Sequence, residues 1–195
     1  MKANDCRQRH NLFRVLVLLT TLGLVTVLLV SCGVGEQLPE EEKTLSITST
    51  AFQEGDKIPD NYTSQGQDIS PPLDWSEPPE GTQSFVLIMD DPDAPGGTFT
   101  HWVIFNIPSN SRGLPEAVPA EDQLSDGTLQ GKNDFGRIGY GGPSPPPGPA
   151  HRYKFTLYAL DQSLDLTAGA SKKQVLDAIE GHILAQGELT GIYQR

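Results

Sequence analysis

Cysteine is all but missing from this chain, with Cys6 and Cys32 the two in 195 residues. That excludes a disulfide-held scaffold, so the fold must be held by its apolar core. Basic residues are scarce too: 14 Lys and Arg stand against 25 Asp and Glu, for a formal charge of −11 at pH 7. A surface of that sign repels nucleic acid and anionic lipid at long range. Nucleic acid is therefore not an expected partner, and any anion site must be local. Long apolar runs are limited to residues 15–30. That run falls short of the roughly 20 residues a spanning helix needs. No repeat of the length that marks solenoids or propellers is present.

What is present at the start of the chain is directional. Lys2, Arg7, Arg9 and Arg14 precede the apolar run, as in a secretory signal. The run closes on Leu29-Val30-Ser31-Cys32. This ending resembles the bacterial lipoprotein signal, in which the cysteine is lipidated and becomes the mature N-terminus. The resemblance implies a signal peptide over residues 1–31, lipid on Cys32 and an extracytoplasmic domain anchored to a bacterial membrane. An uncleaved signal anchor would put the domain on the same side. Cleavage removes Cys6, four basic residues and Asp5, which makes the mature chain three charges more negative. Residues 32–43 are polar, with Glu40, Glu41 and Glu42 in succession, and read as a tether to a domain over 44–195.

Within that domain, residues 45–50 alternate apolar and polar and predict a strand. Residues 53–83 read as an ordered loop pinned by Ile58, Tyr62, Ile69, Leu73 and Trp75. The run at 85–89 is apolar throughout and that at 102–107 is apolar but for Asn106, which predicts strands covered on both faces. Residues 152–160 alternate, with Tyr153, Phe155, Leu157 and Ala159 on one face. A last short strand is predicted over 188–193. One helix is expected: Ser171 and Gln174 have the spacing of a capping box, and Val175, Leu176, Ile179 and Ile183 share a face. His182 falls on or near that face and reads as a core histidine. The fold class is mainly β, largely antiparallel, with a late helix.

The run DDPDAPGGTFTHW, residues 90–102, puts charge and stiffness between two buried strands. In a hairpin, Asp91 would meet His101 at one rim, where the carboxylate would orient and charge the imidazole. Pro92 and Pro95 stiffen the loop. His151 opens the strand at 152–160 and would arrive at the same rim, with Tyr153 on its face. Imidazoles, a phenol and backbone amides suit a tetrahedral oxyanion. Asp93 is expected to fix the loop through Asx-type hydrogen bonds, and Arg152 to make a structural salt bridge. No catalytic residue, cofactor or metal is assigned. G-x-S-x-G, H-E-x-x-H and P-loop spacings are missing, and two histidines with one aspartate make a thin metal site.

The blocks DPDAP, THW, GPSPP and HRY, with SPPLDW, HWVIFNIP, YGGP, FTLYALD and GHILAQGELTGIYQR, resemble the phosphatidylethanolamine-binding protein family. The resemblance runs from about residue 45 to 195 and is best to the bacterial branch similar to Raf kinase inhibitor protein. It implies a large central antiparallel sheet packed with a smaller one, and helix near the C-terminus. It also implies a small pocket for phosphate-like groups, with Asp91, His101, His151 and Tyr153 as ligand-binding residues. Gly142, Pro143 and Pro145 would form its wall, supported by Asp93, Trp102 and Arg152. Ser144 stands where many bacterial relatives have cysteine. The expected function is a membrane-anchored binding protein for a phosphate-like or phospholipid head-group anion, regulating a protein partner. An inhibitor of an extracytoplasmic protease or kinase, working through residues 122–139, is the alternative. A phosphoester or ester hydrolase ranks behind it.

Overall fold

Strands that carry apolar residues on both faces need cover on both, and here they receive it. The computed structural model describes residues 43–195; the signal, Cys32 and the tether up to residue 42 lie outside the described residues. β4 (Ser84–Asp91), β5 (Phe99–Pro108) and β8 (His151–Leu160) form the middle of a six-stranded sheet. β1 (Lys43–Thr44), β7 (Leu129–Gln130) and β9 (Ile183–Tyr193) complete it in the order β1-β9-β8-β4-β5-β7. All neighbours are antiparallel except β1, which runs parallel to β9. β2 (Ile47–Thr48), β3 (Leu73–Trp75) and β6 (Gly113–Leu114) make a smaller antiparallel sheet.

Alternation along the strands sorts the core into two layers. On one face, Phe85, Leu87, Met89, Trp102, Phe155 and Leu157 pack with Leu73, Trp75 and Leu114 of the small sheet. On the other, Val86, Ile88, Val103 and Phe105 pack with Leu164, Val175 and Ile179. The last two belong to α1 (Lys172–Ile179). Its N-terminus carries the full capping box: Gln174 N–H donates to Ser171 Oγ at 3.3 Å, and Ser171 N–H donates to Gln174 Oε1 at 3.0 Å. The fold is thus mainly β, two sheets and one short helix.

Several expectations need correction. The strand at 45–50 is split between sheets: Leu45 N–H still bonds Gln186 O of β9, but Ile47 already pairs with Trp75. Both side chains are buried in one core as the chain passes from one layer to the other. The last strand starts at Ile183, because pairing with β8 runs from Tyr193 opposite His151 to Ile183 opposite Leu160. Ile183 therefore leaves the helical face; α1 stops at Ile179, and Gly181 at φ +79° turns the chain. His182 sits in that turn, half-exposed, with Nδ1 2.9 Å from Asp161 Oδ1, and is no core residue. Lys43, assigned to the tether, already pairs with Ala185.

The chain enters the sheet at β1, opposite Ala185 and Gln186. Those partners lie toward the start of β9, whereas His151 pairs with Tyr193 at its far end. Among the described residues no helix is long and apolar enough to cross a membrane.

Leu87 has no exposed surface at the centre of the larger core cluster. Leu87→Ala should lower the unfolding free energy by about 2–5 kcal/mol in denaturant titration, the range for a leucine cavity in a packed interior. A loss below ~1 kcal/mol would mean that the two layers are not close-packed there.

Candidate functional site

A register shift at the end of β4 and β5 determines which side chains reach the rim. Met89 pairs with Trp102, yet Asp90 pairs with Thr100. His101 is the extra residue of this bulge, and bulges re-aim side chains. It lies beside Tyr153 of β8, ring centroids 5.2 Å apart. Asp91 faces Phe99 rather than His101.

The expected Asp91–His101 pair is therefore replaced by two separate contacts. His151 Nδ1 lies 2.7 Å from Asp91 Oδ2, with both side chains buried. His101 Nδ1 lies 2.6 Å from the carbonyl oxygen of Gly141, to which it donates. Asp91 Oδ1 accepts the N–H of Asp93 at 2.9 Å. The Asx-type bond thus belongs to Asp91, not to Asp93. Asp93 instead holds the loop by a two-pronged bond to Arg152: Nε to Oδ2 at 2.8 Å and Nη2 to Oδ1 at 2.7 Å. Arg152 N–H adds a third bond to Oδ2 at 2.9 Å. Arginine beside it holds the Asp93 carboxyl well below the usual range.

The rest of the rim comes from residues 133–146. Asp134 is tied to β5 twice, through its N–H to Thr100 O at 2.9 Å and its Oδ2 from Thr100 N–H at 2.7 Å. Gly142 N–H donates to Asp68 Oδ1 at 2.6 Å, and Pro143 O accepts from Ser64. A Cβ on Gly142 would meet Tyr62 O at 2.5 Å, so only glycine fits this approach. Tyr140 crosses edge-on to the buried Trp102, centroids 5.6 Å apart, and its hydroxyl donates to Tyr62 O.

These elements enclose a cavity of about 200 Å³. Its polar lining is Asp91, His101, His151 and Ser144. Its apolar lining includes Ala94, Pro95, Phe99, Phe135, Pro145 and Pro146. Gly142 and Pro143, expected in the wall, are buried behind it and hold it in place; of the three, Pro145 reaches the cavity. Tyr153 lies beneath the lining, with no exposed surface, and its hydroxyl has no hydrogen-bond partner among protein atoms. Burial first, then the Asp91 charge, makes that phenol harder to ionise. Burial also lowers the pKa of His101, against the opposing pull of the Gly141 carbonyl and of Asp91. Trp102 supports the floor by donating Nε1–H to Gln130 Oε1 at 2.9 Å.

Sequence reasoning missed Ala94, Phe99 and Phe135 as lining residues. Phe99 was within the opening run but carries no chemistry of its own. Phe135 sits in a Gly-rich loop without periodicity, so no pattern marked it. No cluster of three or more His, Cys, Asp or Glu suited to a metal occurs among the described residues.

Fold and rim together define a two-sheet β domain with a histidine-lined pocket at one end of its larger sheet. Residues 48–194 match the model of the family described as phosphatidylethanolamine-binding protein. The chain is 53% identical over 151 residues to a UPF0098 protein of Methanothermobacter thermautotrophicus, covering 77% of this chain and 99% of that one. It is 39% identical over 157 residues to YbhB of Escherichia coli, covering 76% and 99%. Two crystal structures are similar. One is a putative phosphatidylethanolamine-binding protein homolog of Chlamydia trachomatis, at TM-score 0.71 and 41% identity over 78% of this chain and 98% of that one. The other is Escherichia coli YbcL, at 0.73 and 33%, over 78% and 99%. The chain belongs to the phosphatidylethanolamine-binding protein family.

His101 carries a pH signature. Its folded pKa is lowered by burial, so the unfolded chain takes up this proton more readily. The contribution is fully present above the unfolded value of about 6.5 and is lost as pH falls through the folded value. Denaturant midpoints from pH 7.5 to 5 should fall for the wild type and fall less for His101→Gln. Parallel curves would show that His101 does not titrate in the folded state as its burial requires.

Proposed function

We propose that the domain is a binding protein whose rim pocket takes a small tetrahedral oxyanion, a phosphate or phosphate monoester of head-group size. The observation that carries this reading is the way both imidazoles are held. Each has Nδ1 engaged by the protein, at Asp91 Oδ2 and at Gly141 O. Each ring lines the cavity and keeps Nε2 for a ligand. The cavity of about 200 Å³ falls below the roughly 300–1,000 Å³ of sites that enclose drug-sized ligands. A head group fits that size; a whole phospholipid does not. The chain as a whole is acidic, so specificity for an anion rests on these few groups.

A neutral imidazole that donates through Nδ1 presents only a lone pair at Nε2. To hold an oxyanion it must gain a proton, so binding takes up protons. Calorimetric titration with inorganic phosphate should therefore give tighter binding at pH 5.5 than at 7.5, by up to about a hundredfold for one fully linked proton over the two pH units. His101→Ala and His151→Ala should each abolish it. Binding that is absent at both pH values would end this reading.

The chain is held at the outer face of a bacterial membrane by lipid on Cys32. The basic flank, the apolar run and the Leu-Val-Ser-Cys ending support this. In fractionated cells the wild type should partition with membranes, and Cys32→Ser should lose the lipid mass and accumulate as the uncleaved precursor. An unmodified Cys32 in the mature protein would refute the anchor.

A further inference from the structure

The peptide group between Gly141 and Gly142 is bonded to a side chain at each end. Its carbonyl, Gly141 O, accepts His101 Nδ1–H at 2.6 Å. Its amide, Gly142 N–H, donates to Asp68 Oδ1 at 2.6 Å. Asp68, partly exposed, thereby reaches the buried His101 by way of one planar, polarisable unit. The other carboxylate oxygen, Oδ2, takes Arg137 Nη2 at 3.0 Å.

Geometry alone does not require a carboxylate at residue 68. The wall is fixed by other bonds: the Tyr140 hydroxyl donates to Tyr62 O at 2.7 Å, and Ser64 gives Pro143 O its N–H at 3.0 Å and its hydroxyl at 3.1 Å. Asp68 stands at φ +56°, a conformation that asparagine tolerates as well, and an amide oxygen would accept the same Gly142 N–H. What asparagine lacks is the charge. A charged acceptor on the N–H end of a peptide polarises the carbonyl at the other end, because chained hydrogen bonds strengthen one another. Gly141 O then accepts Nδ1–H more strongly, most of all when the ring is cationic. Burial resists a charge on His101, and the bond to the Gly141 carbonyl is the foremost influence against that resistance. The other charged or titratable groups about the ring are Asp90 and Asp91 of β4, Tyr153 and His151 of β8, and Arg137 over Phe135. Asp91 is bonded to His151 and Asp90 to Lys172, and Asp134 in the same loop takes Thr100 N–H.

We infer that Asp68 is a positioning residue of the pocket, which acts on His101 through the Gly141–Gly142 peptide. Its charge holds Nδ1–H toward Gly141 O, keeps Nε2 turned to the cavity and eases the proton uptake at Nε2 that anion binding requires. Arg137, on the other oxygen, offsets part of that charge. The consequence for binding rests on the oxyanion reading above; the effect on the ring does not.

The test is an NMR pH titration of the protein in phosphate-free buffer. In the wild type the Gly142 amide proton should lie downfield and move with the same midpoint as the His101 ring. In Asp68→Asn that midpoint should fall by about half a unit to one unit, and in Arg137→Gln it should rise. Calorimetry with inorganic phosphate at pH 7.5 should show about three- to tenfold weaker binding for Asp68→Asn, the same shift expressed as affinity. A residue that only supported the wall would leave the midpoint alone, since the amide keeps the bond. An unchanged midpoint in Asp68→Asn, a fall in both variants, or a Gly142 amide that does not follow the ring overturns the inference. The wild-type amide decides even if a variant fails to fold. A shifted midpoint with no phosphate binding in any form upholds the Asp68–His101 coupling and ends the oxyanion reading instead.

Discussion

The rim depends on one buried hydrogen bond, 2.7 Å between His151 Nδ1 and Asp91 Oδ2. It joins the ends of two adjacent strands of the central sheet and ties up one oxygen of a largely buried carboxylate. Removing either partner would leave the other largely buried and without its hydrogen bond, which is costly. The bond also organises its surroundings. It fixes which nitrogen of His151 faces the cavity. It leaves Asp91 Oδ1 to turn the following loop through the Asp93 amide. Just beyond, the link is repeated on the outside, where Arg152 of β8 grips Asp93 in the loop after β4. Two links between the same pair of segments, one buried and one exposed, hold the loop as a fixed wall.

The opposite face of the sheet shows the same economy with different chemistry. Asp90 points away from the pocket and takes Lys172 Nζ at 2.6 Å and Thr100 Oγ1 at 2.9 Å. Thr100 then holds Asp134 through its backbone. The start of the helix, the end of β4 and the loop that presents Phe135 are thereby one connected network. Consecutive acids in one strand serve two faces because side chains alternate across a sheet.

Much of this was legible in the sequence. Apolar runs without alternation at 85–89 and 102–107 became the doubly covered centre of the sheet. The Ser171–Gln174 spacing became a complete capping box. The elements that were misread have a common cause. His182 and Ile183 carry helical spacing, but pairing with β8 begins at Ile183 and ends the helix early. Residues 45–50 alternate like one strand, yet they serve two sheets. His101 was matched to Asp91 by counting along a hairpin, and one unpaired residue moved it to Gly141. Phe135 was invisible because a single aromatic in a glycine-rich loop has no period to betray it.

By itself the sequence determined which segments are buried strands, where the helix begins and which loops are stiffened by proline. Those follow from local pattern and restricted dihedrals, which act within a few residues. It also brought Asp91, His101, His151 and Tyr153 to one end of the sheet, since strand ends are set by the same patterns. Tertiary structure alone decided who bonds to whom there. Asp91 and His151 are 60 positions apart, and His101 and Gly141 are 40 apart. Contacts at that separation are fixed by sheet register and by how a long loop folds back, and a one-residue bulge is enough to exchange one partner for another.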